Sequence, residues 1–306
     1  MIYILGTERS ASTWVANILD HHPRLDVCME PLSSYNSRFK NWPDRFTKMD
    51  HPGKKAAEFE CEFEILRKHR RFLFTRFSDS HFAWKTDLNW AQFLARKNIA
   101  PDAVSDFLEL NFHRKNRSIT VKKKEPLQTV IKEVRLNFNA SLISAMDKNP
   151  RVIVTIREMA SCIRSISNFI DEGSLTDLKK DLQAHYGSIT PQTLCNYWFE
   201  SYSVLLDSLE NHQIPYKIVS HTELLKNPRA VTEEIFRFLD ISVEPDIIKF
   251  LETSDRSGSG KHSTERSSDQ LLEQIINDRK RMYPLLSKEL DTIQNHPVLR
   301  KFAGGL

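Results

Sequence analysis

No run of apolar residues in this chain approaches the roughly 20 that a membrane-spanning helix requires, which excludes a helical membrane span for its 306 residues. No secretory leader is expected either, because a strand-like apolar run already begins at residue 2. Cysteine is scarce. Cys28, Cys61, Cys162 and Cys195 form no close pair and no metal-ligand spacing, so neither a disulfide framework nor a thiolate metal site is expected. Cys28 and Cys162 lie in apolar runs and read as buried, reduced thiols. Charge of one sign is not in excess either: 44 basic minus 40 acidic side chains leaves +4. So mild a balance does not by itself call for a nucleic acid partner. Internal repeats and low-complexity linkers are absent too. What remains is a globular chain, 27% charged and 40% hydrophobic, long enough for one large α/β domain. The expected location is the cytoplasm, the alternative being a chain from which an anchor has been removed.

The most informative stretch is IYILGTERSASTWVANILD, residues 2–20. A short apolar run ends at Gly6, a polar loop follows, and from Thr13 the apolar spacing becomes helical through Trp14, Val15, Ile18 and Leu19. Strand, small-residue loop and helix form a phosphate cradle, in which loop N–H groups and the positive helix end converge on an anion. Ser10, Ser12 and Thr13 add hydroxyls and Arg9 a full charge. A Walker A loop needs G-x-x-x-x-G-K-[ST]. Here Ala11 replaces its second glycine and Ser12 its lysine, so a nucleoside triphosphate would lose its point charge. The bland alternative is an ordinary βα turn with a Ser/Thr cap.

Further along, Asp20-His21-His22-Pro23 closes the first helix, and Leu25 to Met29 reads as a second strand ended by Glu30-Pro31. Residues 33 to about 80 read as a substrate-side insertion, with a helix over Ala56 to His69. Phe72 to Phe77 reads as a strand or a helix end, strand character returns at Phe82 to Leu88, and a helix is expected over Asp102 to Phe112. Arg114 to Lys124 is the densest basic segment, either a solvated loop or an approach path for an anion. Thr129 to Arg135 is a strand by β-branched content, Leu142 to Lys148 a short helix. Val152 to Ile156 is a fully buried parallel strand, followed by a helix from about 159 to 170. Pro191 to Glu210 forms a strong amphipathic helix capped by Thr190. A strand at Tyr216 to Val219 and helices at Val231 to Leu239, Pro245 to Leu251 and Leu271 to Met282 complete the chain, with a Gly/Ser/charged loop over Ser254 to Asp269. This alternation predicts an α/β fold: a P-loop-type, doubly wound parallel sheet flanked by helices, in one domain over 1–306.

Three polar groups directly follow predicted strands: the loop with Arg9, then Glu30, then Arg157. In a parallel sheet all three share the carboxyl edge, outside which ligands bind. A phosphate cradle, a carboxylate and a second arginine in one crevice suit group transfer involving two anionic groups. A kinase would need a carboxylate for Mg²⁺ after a core strand, but the best apolar strand closes with Arg157. Asp87 is the only alternative to it.

At these residues the chain resembles the sulfotransferases that use 3′-phosphoadenosine 5′-phosphosulfate (PAPS), nearest to the carbohydrate and bacterial branches. RSASTW at 9–14, HP at 22–23 and EPL at 30–32 resemble the family's 5′-phosphosulfate motif and the Glu-Pro that follows it. RVIVTIREMASCIRS at 151–165 resembles the 3′-phosphate motif, IKEVRL at 131–136 the strand before it, and KIVSHTELLKNPRAVTEEIFRFLDI at 217–241 a later strand and helix. The resemblance implies that Arg9, Ser10, Ala11, Ser12 and Thr13 hold the 5′-phosphosulfate, and that Arg157 and Ser165 hold the 3′-phosphate. It implies a closing loop at Gly258 to His262, with Gly260, Lys261 and His262 on the cofactor and Arg266 nearby. It departs at Ala11, where the family usually has glycine; a positive φ there would cost alanine about 1 kcal/mol.

The reaction expected is transfer of a sulfuryl group from PAPS to an acceptor hydroxyl, on a carbohydrate or another small metabolite, without a metal. Arg9 would stabilise charge on the leaving oxygen and Glu30 would be the general base. His21 and His22 sit at the far end of the first helix, where capping or surface roles suit them. Lys85 and Lys132 are possible sulfate or substrate contacts, and Glu223 a structural residue. The competing readings are a P-loop small-molecule kinase or NTPase, and a non-catalytic module binding anions or nucleic acid through the 114–124 run. Aromatics Tyr35, Phe39 and Trp42 could stack on a sugar acceptor or belong to the core.

Overall fold

The computed structural model describes residues 1–32, 45–47, 49, 52–61, 127–254 and 268–303. Five strands, β1 (Ile2–Leu5), β2 (Leu25–Met29), β3 (Gln128–Lys132), β4 (Arg151–Ile156) and β5 (Tyr216–Ser220), form one sheet in the order β2-β3-β1-β4-β5. Every pairing is parallel. The first strand is therefore central, with Leu5 opposite Val154 and Ile4 opposite Lys132. All carboxyl ends lie along one edge, as the alternation of the sequence predicts.

Successive side chains of a strand point to opposite faces, and two cores result. Tyr3 and Leu5 join Ile131, Val152, Val154 and Ile156 on one face; Ile2 and Ile4 join Val27, Val130, Ile153 and Val219 on the other. The second face is covered by α1 (Ser12–Asp20), which packs Val15, Ala16, Ile18 and Leu19 there. The first face takes α2 (residues 52–61) through Ala56 and Phe59, and α3 (Ser141–Met146). It also takes α4 (Met159–Asp171), α5 (Thr176–Tyr186) and α6 (Pro191–Asn211). Returning to the second face are α7 (His221–Lys226), α8 (Pro228–Leu239) and α9 (Pro245–Ser254). Two more helices follow, α10 (Ser268–Met282) and α11 (Ser287–Gln294). None of the described helices is long and apolar enough to cross a membrane.

Helix α6 is the main support of the site. Thr190 and Thr193 form a reciprocal capping box at its start and Pro191 occupies the first turn, where a missing N–H costs nothing. Tyr197, Trp198 and Tyr202 are wholly buried with Leu194, Leu205 and Leu209, each large side chain contributing about 1.5–3 kcal/mol by leaving water.

One strand boundary and two helices differ from the sequence reading. Strand β3 stops at Lys132 rather than Arg135, because the Glu133 carboxylate accepts the N–H groups of Val134 and Arg135 at 2.9 and 3.0 Å and turns the chain. Helix α5 is absent from the sequence reading. It buries only Leu178, Asp181 and Leu182 and has no side-chain cap, so its apolar periodicity is faint. Helix α11 was missed for a similar reason, burying only Leu290 and Ile293. The expected elements at Phe72 to Phe77, Phe82 to Leu88 and Asp102 to Phe112, and the basic run 114–124, lie outside the described residues, as does the end of the helix expected to reach His69. All four cysteines are free, and Cys28, Cys162 and Cys195 are buried.

Candidate active site

The loop after β1 is held in a conformation that few sequences tolerate. Gly6 has φ +154°, and a Cβ there would lie 2.5 Å from both the carbonyl oxygen and Oγ1 of Thr155. Only glycine lets the loop cross β4 so closely. Arg9 and Ala11 both take left-handed backbone, φ 65° and 74°. Strain at Ala11 is what its replacement of glycine predicts; strain at Arg9 is an addition. Ala11 is also the residue that starts α1, and it offers no side-chain cap. The Ser/Thr-capped turn is therefore not what forms. Trp14 N–H bonds the Ala11 carbonyl at 2.9 Å, and no side chain among the described residues caps the N–H groups of Ser12 and Thr13 before it.

The hydroxyls of the loop have separate roles. Ser10 is fully buried and hydrogen-bonded to Thr155 Oγ1 at 2.8 Å, while Thr155 Oγ1 donates to the Leu5 carbonyl at 3.1 Å. Its side chain thus ties the loop to β4. Ser12 is buried and Thr13 exposed at the mouth. Beneath the loop, Thr7 donates through N and Oγ1 to Tyr202 Oη at 3.3 and 3.1 Å, and Tyr202 donates to the Thr155 carbonyl at 2.8 Å. Burial pushes the Cys162 thiol, 3.5 Å from Thr7 Oγ1, up to about 11, so it is a neutral thiol under the loop.

On the β4–β5 side the loop meets a cluster of cations. Arg9 Nε donates to Ser165 Oγ at 3.1 Å, and its guanidinium lies 3.9 Å over the Phe169 ring. Arg157, directly after β4, donates through Nε and Nη2 to Ser161 Oγ at 2.9 and 2.6 Å. The sequence pairs Arg157 with Ser165; the structure gives Arg157 to Ser161 and Ser165 to Arg9. The two serines are four residues apart, on one face of α4. No carboxylate among the described residues forms an ion pair with either guanidinium. Burial, and then the charge of Arg157, pull the Arg9 guanidinium below its ordinary range; burial does the same to Arg157.

His221, which the sequence reading passed over, completes this cluster. It follows β5 directly, and its Nδ1 is buried with no hydrogen-bond partner among the described residues. Burial, then Arg157 and Arg9, push its imidazole down to about 3. The signal was available: it is the fourth polar group immediately beyond a strand's carboxyl end.

On the β2–β3 side stands a carboxylate. Glu30 has φ 46°, its N–H bonds the Lys132 carbonyl at 2.6 Å, and its side chain is ion-paired with Lys132 Nζ. Lys132 is buried rather than solvated. Glu133, also buried, accepts the Leu32 N–H at 2.8 Å; burial and then Glu30 raise its carboxyl above the usual range. The carboxylate after Arg157, Glu158, is occupied in capping α4, accepting from Ser161 N at 2.9 Å, from Arg279 at 3.2 Å and from Tyr283 at 3.0 Å. His21 caps α1 through Asn17 O at 2.7 Å and stacks on Phe250 at 3.9 Å, and His22 accepts the Arg24 N–H at 3.1 Å. Ser220 caps the short α7 by accepting the Glu223 N–H at 3.4 Å. Gly260, Lys261, His262 and Arg266, with Lys85, Asp87, Tyr35, Phe39 and Trp42, lie outside the described residues.

A central strand ending in a glycine-dependent loop, with cations on one side and an ion-paired carboxylate on the other, defines an α/β protein with a candidate anion site at its sheet edge. The family profile described as sulfotransferase family matches residues 2–245. The chain belongs to that family, an enzyme family that transfers sulfuryl groups. Among solved structures it is similar to the sulfotransferase domain of the curacin biosynthetic pathway, at 18% identity over 92% of this chain and 90% of that one, TM-score 0.47. It is also similar to the sulfotransferase domain of the Synechococcus PCC 7002 olefin synthase, at 15% identity over 100% and 95%, TM-score 0.49. A sulfotransferase of Mycobacterium avium aligns at 12% identity over 95% and 76%, TM-score 0.42. None of the curated proteins compared with the chain matches it.

Proposed function

We propose that the protein transfers a sulfuryl group from PAPS to a hydroxyl of a carbohydrate or another small metabolite. The observation that carries this reading is the pair Arg9 and Arg157 at one sheet edge, each bonded to a serine and neither bonded to a carboxylate among the described residues. Two buried guanidiniums without counter-charge are costly, and a ligand with two separated anionic groups offsets both. His221 Nδ1, buried and without a partner among the described residues, fits the same ligand as a further polar contact.

PAPS supplies an activated sulfuryl group on a phosphate leaving group, which the acceptor oxygen takes as it gives up its proton. The loop N–H groups and Arg9 hold the 5′ end and stabilise charge on the departing oxygen. Thr13 and Ser12 border that end, while Ser10 keeps the loop on β4. Arg157, with Ser161 and Ser165, holds the 3′-phosphate that separates this donor from ATP. Glu30 accepts the proton of the acceptor hydroxyl, and its ion pair with Lys132 holds the carboxylate in place. Gly260, Lys261 and His262 close over the cofactor.

A kinase reading is less well supported because Glu158, the carboxylate nearest the end of β4 in sequence, is committed to capping. Titration calorimetry with adenosine 3′,5′-bisphosphate and with ATP tests the choice. Bisphosphate should bind at least about tenfold more tightly, the worth of one charge-assisted contact; equal or tighter ATP binding refutes the proposal.

A further inference from the structure

The phosphate loop is also gripped by charges that take no part in binding. Glu8, next to Arg9, is nearly buried, and its carboxylate accepts from Arg45 Nη1 and, at 2.5 Å, from Tyr197 Oη. Arg45 is 3% exposed and donates again to Tyr197 Oη at 3.0 Å and to Asp181 at 3.0 Å. Asp181 in turn lies 3.5 Å from Arg135, which reaches Asp177 at 3.3 Å. Charges of alternating sign thus run from the loop, through Arg45, to helix α5. Burial works against the Arg45 charge, yet Glu8, Tyr197 and Asp181 outweigh it and hold it fully protonated.

Buried ion pairs of this kind contribute little net stability, since desolvation consumes most of the attraction. What they fix is geometry. Arg9 sits at φ 65°, a conformation costing an L-residue about 1–2 kcal/mol and kept only where its surroundings impose it. The residue before it is the one pinned by Arg45 and Tyr197, and the Glu8 carbonyl also accepts from Cys162 Sγ at 3.5 Å. Arg45 comes from the stretch between β2 and α2, within the insertion expected to build the acceptor side. Phe46, beside it, stacks on His185 at 4.1 Å and meets Tyr197 edge-on at 5.9 Å.

We propose that Arg45 is a positioning residue for sulfuryl transfer: by clamping Glu8 from the acceptor-side segment it delivers Arg9 onto Ser165 and Phe169, so that segment and phosphate loop are set together. The inference rests on the functional reading above. Its test is a cycle of variants read by calorimetry with adenosine 3′,5′-bisphosphate. Glu8→Gln combined with Arg45→Met leaves no unpaired charge, because Asp181 keeps Arg135. This double variant should fold and bind the bisphosphate about tenfold or more weakly, a modest cost for a misplaced binding group. In an Arg9→Met background the same two changes should add less than about twofold, because the interaction they act through is already gone. Arg45→Lys, which keeps the charge but not the fork, should fall between. Equal losses in both backgrounds, no loss in either, or a double variant that does not fold would make the network a structural prop and overturn the positioning role. Failure of the unaltered protein to bind bisphosphate would instead overturn the functional reading, and this role with it.

Discussion

Acidification should weaken this fold through His221 by an amount that can be worked out. Its imidazole is pushed from 6.5 to about 3 by burial and by the charges of Arg157 and Arg9. In the unfolded chain the ring titrates near its ordinary value. The stabilising difference is therefore complete above pH 6.5, where both states are neutral, and is lost as pH falls from there toward 3. At pH 5 the unfolded state has gained a proton that the folded state refuses. The loss is then about 1.5 pH units at roughly 1.36 kcal/mol each, or about 2 kcal/mol. His221→Phe keeps a ring of similar size and removes the titration. Urea denaturation of both proteins at pH 7 and pH 5 isolates the effect, since every other group titrates in both. The variant should gain about 2 kcal/mol on the parent between the two pH values. A relative change below about 0.5 kcal/mol, the error of such extrapolations, would show that the ring is not held neutral by burial and those arginines.

Three further outcomes follow from the same geometry. Gly6→Ala places a Cβ 2.5 Å from the Thr155 carbonyl and should cost about 3 kcal/mol in urea denaturation, with loss of bisphosphate binding; a near-neutral result would mean that the loop does not cross β4 so closely. Ala11→Gly removes a left-handed alanine penalty of about 1–2 kcal/mol against an added chain entropy of about 0.5–1, so the urea midpoint should rise slightly, and a fall would contradict strain at φ 74°. Glu30→Gln should leave bisphosphate affinity within about twofold and lower transfer by about 100-fold or more, measured with PAPS and a hydroxyl acceptor; retained turnover would remove Glu30 as the base.

The sheet was legible because its strands carry unbroken apolar runs bounded by glycine, proline or charge, as in β1, β2 and β4. Helix α6 was legible because cap, proline and apolar face agree. The end of β3 was not, since it depends on one carboxylate folding back onto the next two N–H groups, which no periodicity records. Among site residues, Arg9, Glu30 and Arg157 follow from a single rule, that polar residues just past parallel strands share an edge. The same rule applied to β5 yields His221. Positive φ was foreseeable at Ala11, where a glycine was missing from a motif, but not at Arg9 or Glu30, whose side chains give no local hint. The partition of Ser161 and Ser165 between two arginines is a matter of side-chain reach, settled only by tertiary packing. Arg45 was invisible for a different reason: its partners lie 37, 136 and 152 positions away.

Helix α6 supports both halves of the site at once. Tyr197 bonds Glu8, Tyr202 bonds Thr7, and Trp198 Nε1 donates to the Arg157 carbonyl at 3.2 Å. A helix with three buried aromatic side chains therefore acts as a caliper whose jaws are the loops after β1 and β4. Under the proposed function a nucleotide would be sorted by the span between its charged groups before any contact with the base is counted, and a loop substitution that spoils one phosphate contact should weaken its fellow through the helix between them.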